Sequence, residues 1–428
     1  MVFLKRHSPL PCKQLRSECS LTSVKTNTDL FGVYLHVPYC RSLCPYCDFA
    51  VTVTKEIPHI AYETAILHEL MSKANLFEGR AMGSIYLGGG TPSLWAPDSI
   101  QRTLSHLFQS FPTSKDGIEV TIEADPLDLL SCPLESLEMW KQAGINRLSV
   151  GIQSLHDGHL QKLGRNHSKA QAQAAIFQAK AAGFQNISVD LMIGLPEQSL
   201  QDLDQDLTQI LALSPSHISI YQLTVEPRTA LAASIRKGKV VLPDTEVQAM
   251  YYQQVQNHLT NAGFLQYEIS SYYRKGEKDV RSCHNLLYWS LGEYLGLGVS
   301  AHSFRRCLDG SGERFANPRS TKRYLEIYRQ KVSPFLPSHD VEKQGILSLY
   351  EKRTKEDLCK EGMWLGLRNI DGILIADFIK KHGVDPLFIY RKEIQTLIER
   401  GFLKVEKDRI FLSPQGILFA DEVALSFV

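Results

Sequence analysis

A chain of 428 residues has room for one large domain with a smaller one beside it, and its apolar content suffices for a buried core. Its 47 lysines and arginines nearly balance 46 aspartates and glutamates, so no global field draws it to nucleic acid, an anionic membrane or a polyanionic substrate. No apolar run approaches the roughly 18 residues of a membrane span, and the apolar start Met1-Val2-Phe3-Leu4 is cut off by Lys5 and Arg6. The sequence therefore predicts a cytoplasmic protein.

Residues 1–30 carry Lys5, Arg6, Lys13, Arg16 and Lys25 against one acid before Asp29, Glu18. That is the composition of an organellar transit peptide, but no long amphipathic face develops, which favours a disordered extension.

From Phe31 to Gln222, β-rich runs alternate with helical ones. Strands are expected over 32–37, 84–87, 119–122, 147–151, 187–193 and 217–222. Between them, Ser168 with Gln171 reads as a capping box, and Ser199 with Asp202 opens a helix whose Leu200, Leu203, Leu207, Ile210 and Leu211 share one face. Polar and glycine residues follow the C-terminal strand ends: a cysteine loop after the first, Gly88-Gly89-Gly90-Thr91 after the second, Glu123 and Asp125 after the third, Gln153 after the fourth. In parallel βα folds that edge holds the site, because the βα loops converge there. Six units instead of eight predict an α/β fold with a partial, open (β/α)6 barrel over 31–240.

A long helix over 244–262 is expected next, then a glycine- and aromatic-rich segment, 283–304, within a stretch, 241–315, that completes the barrel. Residues 316–428 read as an α+β module: helices over 374–381 and 387–400, then strands over 402–405 and 409–412, the outline of a winged helix. Arg391, Lys392 and Arg400 are offset by Glu393 and Glu399, which favours a lid or partner module over a DNA reader.

Nine cysteines are an odd number, and their tight grouping is Cys40-Arg-Ser-Leu-Cys44-Pro-Tyr-Cys47. A disulfide scaffold would not cluster them so, and structural zinc usually takes four ligands. Three thiolates on a cubane iron–sulfur cluster leave one iron open to a further ligand.

The C-x3-C-x2-C spacing, with Tyr46 before the last cysteine, resembles the radical S-adenosylmethionine (SAM) superfamily. The resemblance implies a [4Fe-4S] cluster on Cys40, Cys44 and Cys47, SAM chelating the open iron, and an electron donor wherever SAM is cleaved to a 5′-deoxyadenosyl radical. Tyr46 would then lie against the adenine. The runs Tyr34-Leu-His-Val-Pro, Tyr86-Leu-Gly-Gly-Gly-Thr-Pro-Ser, Leu163-Gly-Arg-Asn, Val189-Asp-Leu-Met-Ile-Gly-Leu-Pro and Gly296-Leu-Gly-Val-Ser-Ala-His-Ser resemble the group of oxygen-independent coproporphyrinogen III oxidase and its relative, the haem chaperone. By that resemblance Tyr34, Gly89 and Glu123 contact the cluster-bound SAM, while Gly90, Thr91, Gln153, Arg165, Asp190 and Thr224 match positions that hold a second SAM in the oxidase.

Two departures separate the chain from the oxidase. Phe49 stands where the oxidase has a further cysteine, and residues 1–30 do not resemble its substrate-covering arm. Phe49 and His284-Asn285-Leu-Leu-Tyr288-Trp289 fit the haem-chaperone branch, which implies haem as ligand and an acceptor protein as partner. His284 is the candidate haem ligand, since imidazole is a good axial ligand and Tyr and Trp offer flat apolar surface. The competing reading of His284 is a core histidine at a helix start. The competing function is radical decarboxylation of coproporphyrinogen III. Self-association to a homodimer, the number of SAM molecules and covalent haem attachment through Cys283 stay open.

Overall fold

The computed structural model describes residues 30–428 except 116 and 277. The expectation for residues 1–30 falls almost wholly outside them. Six strands alternate with helices from the start: Leu30–Val37 (β1), Ala81–Gly89 (β2), Glu119–Ala124 (β3), Arg147–Gln153 (β4), Asn186–Ile193 (β5) and His217–Gln222 (β6). All five neighbouring pairs are parallel and follow chain order. Each strand packs apolar side chains such as Val33, Leu35, Ile85, Leu87, Ile122, Leu148 and Val189 outward against the helices, in one continuous core. Tyr34, Tyr86, Glu123, Arg147 and Asp190 alternate with them, on the face that becomes the barrel lumen.

The helix signals hold at the residues that carry them. Ser168 and Ser199 each accept from the backbone N–H three residues on, while Gln171 and Asp202 return the bond, completing two capping boxes. Asp244 caps the long helix Thr245–Asn261.

Beyond β6 the sheet grows at both edges. Phe264–Glu268 (β7) and Ser271–Arg274 (β8) add antiparallel strands beside β6. Glu293–Gly298 (β9) pairs parallel with β1, and His302–Arg306 (β10), Gly312–Ala316 (β11) and Leu349–Arg353 (β12) continue antiparallel from it. The order is β12-β11-β10-β9-β1-β2-β3-β4-β5-β6-β8-β7, an open barrel with β-ribbons on both flanks. Among the described residues seven strands of this sheet are thus parallel. The additional one is β9, whose glycines do not read as a strand: a Cβ on Gly296 would lie 2.0 Å from the carbonyl oxygen of His302, so only glycine lets β10 fold back here.

Helix α1, His59–Lys73, ties β9 to β1. Its Glu69 and Lys73 are fully buried and 2.5 Å apart. Glu69 also accepts from Asn317 Nδ2 (2.6 Å), Tyr324 Oη (2.6 Å) and the N–H of Gly298 (2.8 Å), so the pair is fully hydrogen-bonded.

Helix α2, Cys283–Trp289, runs under the lumen. The C-terminal module has its own apolar core, built on Met363, Phe378, Leu397, Leu403 and Ile410. Its elements are α3 (Lys355–Gly366), α4 (Ile375–His382), α5 (Arg391–Glu399), and the small sheet of Ile373–Leu374, Leu403–Glu406 and Arg409–Leu412. The expected helix over 387–400 is broken at Tyr390 into Pro386–Ile389 and α5, because Tyr390 adopts φ −113°, ψ 29°. Lys381 of α4 donates to the carbonyls of Ser290 and Leu291, docking the module on the end of α2. Among the described residues no helix is long and apolar enough to cross a membrane.

Candidate cluster and cofactor site

The cysteine loop leaves β1 and is closed by a short parallel pairing of Tyr39-Cys40 with Thr52-Val53. Inside it the N–H of Cys47 donates to the carbonyl of Cys44 at 3.1 Å, a turn that brings the last two thiols together. All three thiols are free and half-buried. Burial pushes Cys40 up to about 11 and raises Cys47, so thiolates here call for a cation beside them. Two donors already aim at sulfur: the Thr91 hydroxyl at Cys40 Sγ (3.4 Å) and Arg165 Nη1 at Cys44 Sγ (3.8 Å). Among the described residues no group of three or more His, Cys, Asp or Glu side chains could hold a metal ion. A cubane needs no such convergence, because each cysteine takes a different iron. Three half-buried thiols, two of them with polar donors on their sulfurs, fit a [4Fe-4S] cluster with one open iron.

The glycine turn that ends β2 packs against the strand feeding this loop. The N–H of Gly90 donates to Val37 O and that of Thr91 to Tyr39 O, both at 2.8 Å. Gly89 sits at φ +114°, and a Cβ there would lie 2.6 Å from the His36 ring. Glu123, at the end of β3, accepts from Tyr86 Oη (2.8 Å) and the N–H of Gly89 (3.1 Å). Burial lifts its carboxyl to about 7, against the pull of the Tyr86 bond. A carboxyl so placed favours an ammonium partner.

Arg165 reaches across to Asp125 Oδ2 (2.8 Å) and Gly151 O (2.9 Å), while its Nε is buried without a hydrogen-bond partner among the described residues. Gln153 is held at φ 68°, a strained conformation for a residue with a Cβ. Asp190 accepts from the hydroxyls of Ser149 (3.2 and 3.1 Å) and Ser188 (3.4 Å), and burial still raises its carboxyl. Tyr34 stands beside Tyr86 in the lumen, ring centroids 6.3 Å apart. Tyr46 packs with Leu163, Met192 and Leu223 below the loop. Thr224 is exposed just beyond β6.

The sequence reading did not single out the lumen floor. Arg147 is 2% exposed, 4.0 Å from Glu119, and Glu119 accepts from the N–H groups of Cys283 (3.1 Å) and His284 (3.2 Å). Arginine inside an apolar run gave no periodic signal, although a buried guanidinium always needs an anionic partner.

His284 is 1% exposed within this floor. Its Nδ1 lies 2.9 Å from Ser84 Oγ, its ring stacks on Tyr86 at 5.3 Å, and burial lowers its basicity to about 3. Among the described residues Nε2 is buried without a hydrogen-bond partner. Its neighbours Tyr288 and Trp289 instead line a cavity of about 500 Å³ beside the cysteine loop, with Tyr34, Phe49, His302, Arg319 and Trp364 among the other walls. His284 itself is not on that wall.

Residues 34–210 match the family described as Radical SAM superfamily, and residues 354–419 match the HemN C-terminal domain. The chain is 32% identical over 397 residues to the heme chaperone HemW of Bacillus subtilis, covering 93% of this chain and 99% of that one. The chain belongs to the HemW-like branch of the radical SAM superfamily. The HemW of Escherichia coli is 37% identical over 70% of this chain and 78% of its own. The Mus musculus radical S-adenosyl methionine domain-containing protein 1, mitochondrial, is 32% identical over 93% of this chain and 87% of its own. Among solved structures, coproporphyrinogen III oxidase (HemN) from Escherichia coli superposes with a TM-score of 0.74 at 22% identity, covering 94% of this chain and 90% of that one. The radical SAM fold with its C-terminal module is thereby that expected from the strand and cysteine pattern. Membership of this HemW-like branch implies a [4Fe-4S] cluster and SAM.

Proposed function

We propose that this protein binds haem and passes it to an acceptor protein, with a [4Fe-4S] cluster on Cys40, Cys44 and Cys47 and SAM on the open iron. The observation that carries the reading is the cavity of about 500 Å³ beside the cysteine loop. That volume lies within the roughly 300–1,000 Å³ of ligand pockets, and its walls are mostly apolar and aromatic, suited to a flat ring. Relatives named heme chaperones support it, at 32% and 37% identity.

In this reading Glu123 takes the SAM ammonium and Arg165 pairs with a carboxylate near Cys44. Tyr34, Tyr46, Gly89, Gly90, Thr91, Gln153, Asp190 and Thr224 complete the surroundings of one or two SAM molecules. Cluster and SAM would supply one-electron chemistry when reduced by a donor. The chain's own residues hold the cofactor, shield it beneath the loop and offer an aromatic cavity next to it. Phe49 fills the position where a further cysteine would mark the decarboxylase, and it is 70% exposed at the cavity. The cavity's place on the cluster loop favours cargo held beside the cofactor.

Haem titration of the anaerobically reconstituted chain tests the proposal. It predicts saturation at one haem per chain and release to an apoprotein with higher affinity. Absence of saturable haem binding by the reconstituted protein would sink it.

A further inference from the structure

We propose that haem seats in the cavity between the cysteine loop, the β9–β10 turn and α3, with His302 as the axial ligand of its iron and Arg319 and Arg314 facing its carboxylates. The inference rests on the haem reading above and assigns the atoms that would perform it.

The walls fit the ring. Tyr288, Trp289, Tyr294 and Trp364 surround the cavity from α2, β9 and α3, and Phe49 closes it from the loop. A porphyrin needs such flat apolar surface on both faces and cationic groups at one edge, where its carboxylates emerge.

Two histidines line the cavity, and their bonding separates them. His36 Nε2 lies 2.9 Å from Ala50 O, which only accepts, so Nε2 carries the proton. Its Nδ1 lies 3.1 Å from the Tyr34 hydroxyl, so the lone pair is taken too. His302, the first residue of β10, is exposed in the cavity, and among the described residues its ring makes no hydrogen bond. Partial burial in the cavity and the nearby Arg314 and Arg319 outweigh Glu351 and lower its basicity, which keeps a nitrogen lone pair available for iron. His284 lies beneath, off the cavity wall.

The arginines lie on the same wall. Arg319 is exposed and spends one Nη2 bond, 2.9 Å, on Asp48 O. Arg314 shares its guanidinium with Glu361 (2.8 Å). Asp48, an acid on the lining, leans to Arg228 at 3.4 Å.

The segment carrying His302 is held firmly. Gly298 (φ +96°) and Ser300 (φ 57°) form a turn strained at Ser300, which carries a Cβ in the left-handed region. The Gly298 carbonyl accepts from Asn317 Nδ2 (2.6 Å), and its N–H donates to buried Glu69. A rigid mount suits a ligand that must meet iron at a fixed distance.

The experiment uses the full-length, cluster-reconstituted chain and hemin, with Soret titration and low-temperature electron paramagnetic resonance. Wild type should show an imidazole-ligated haem. His302→Ala should lose that signature and weaken haem by at least tenfold, while cluster content and melting temperature stay unchanged. Added imidazole should restore the spectrum. Arg319→Ala should weaken hemin several-fold but leave the affinity for its dimethyl ester unchanged. Retention of imidazole ligation in His302→Ala, with its loss in His284→Ala, would overturn the assignment while leaving the haem reading intact. Failure of wild type to bind hemin would overturn both.

Discussion

Glu123 is the residue whose ionisation most directly reports on the cofactor site. Burial holds its carboxyl near 7, well above the ordinary carboxylate range, so the site without cofactor keeps the proton through mildly acidic pH. An ammonium bound beside it favours the carboxylate, so if Glu123 takes the SAM ammonium as proposed, SAM uptake releases that proton. Affinity for SAM should therefore rise as pH climbs from about 5.5 to about 8, and Glu123→Gln should flatten the rise and weaken binding at the upper end. Calorimetric titration across that range checks the sign; a wild-type affinity that falls with pH would contradict the assignment. The placement of residues at strand ends was legible because the parallel βα pattern says where the loops converge. Depth was not legible. His284 and Tyr288 lie four residues apart on one short helix, yet one is sealed under Tyr86 and the other lines the cavity. A seven-residue helix gives no periodic signal to tell them apart.

At the scale of elements, the first six strands and the helices opening at Ser168, Ser199 and Asp244 were readable from their apolar alternation or their caps, whereas the helices His59–Lys73 and Pro97–Ser110, with no side-chain cap, were not. β9 was not, since its glycines answer to close backbone approach: a Cβ on Gly298 would lie 2.4 Å from His36 O. What holds this edge is the buried group of Glu69, Lys73, Asn317 and Tyr324. Lys73→Met should leave Glu69 buried without its cation and cost about 3–5 kcal/mol, the usual penalty for halving a buried pair. A drop of several degrees in thermal melting is the expected readout. The double variant Lys73→Met with Glu69→Leu should recover part of the loss, which a purely steric effect would not allow.

Across the whole molecule, the C-terminal module meets the barrel through α3 and α4. Glu361 of α3 pairs with Arg314 on β11 and Arg353 on β12, each at 2.8 Å, and this clamp holds Trp364 over the cavity. Glu361→Ala should loosen that wall and speed haem loss to apomyoglobin several-fold without changing cluster content. An unchanged rate would separate the module from haem retention. The near balance of charge predicts no salt-dependent DNA binding by the winged module, which filter binding at low salt would check. The outline of the module was readable from its paired helices and hairpin, whereas its docking was not, because Lys381 meets carbonyls of residues 90 and 91 positions away. In the proposed function, cluster and SAM serve a haem-carrying protein and not a decarboxylase. The most direct test is one anaerobic sample of the reconstituted chain given SAM, a reductant, coproporphyrinogen III and, in a parallel aliquot, haem. One haem bound per chain and coproporphyrinogen III recovered unchanged is the expected result. Formation of protoporphyrinogen IX over repeated turnovers would contradict it.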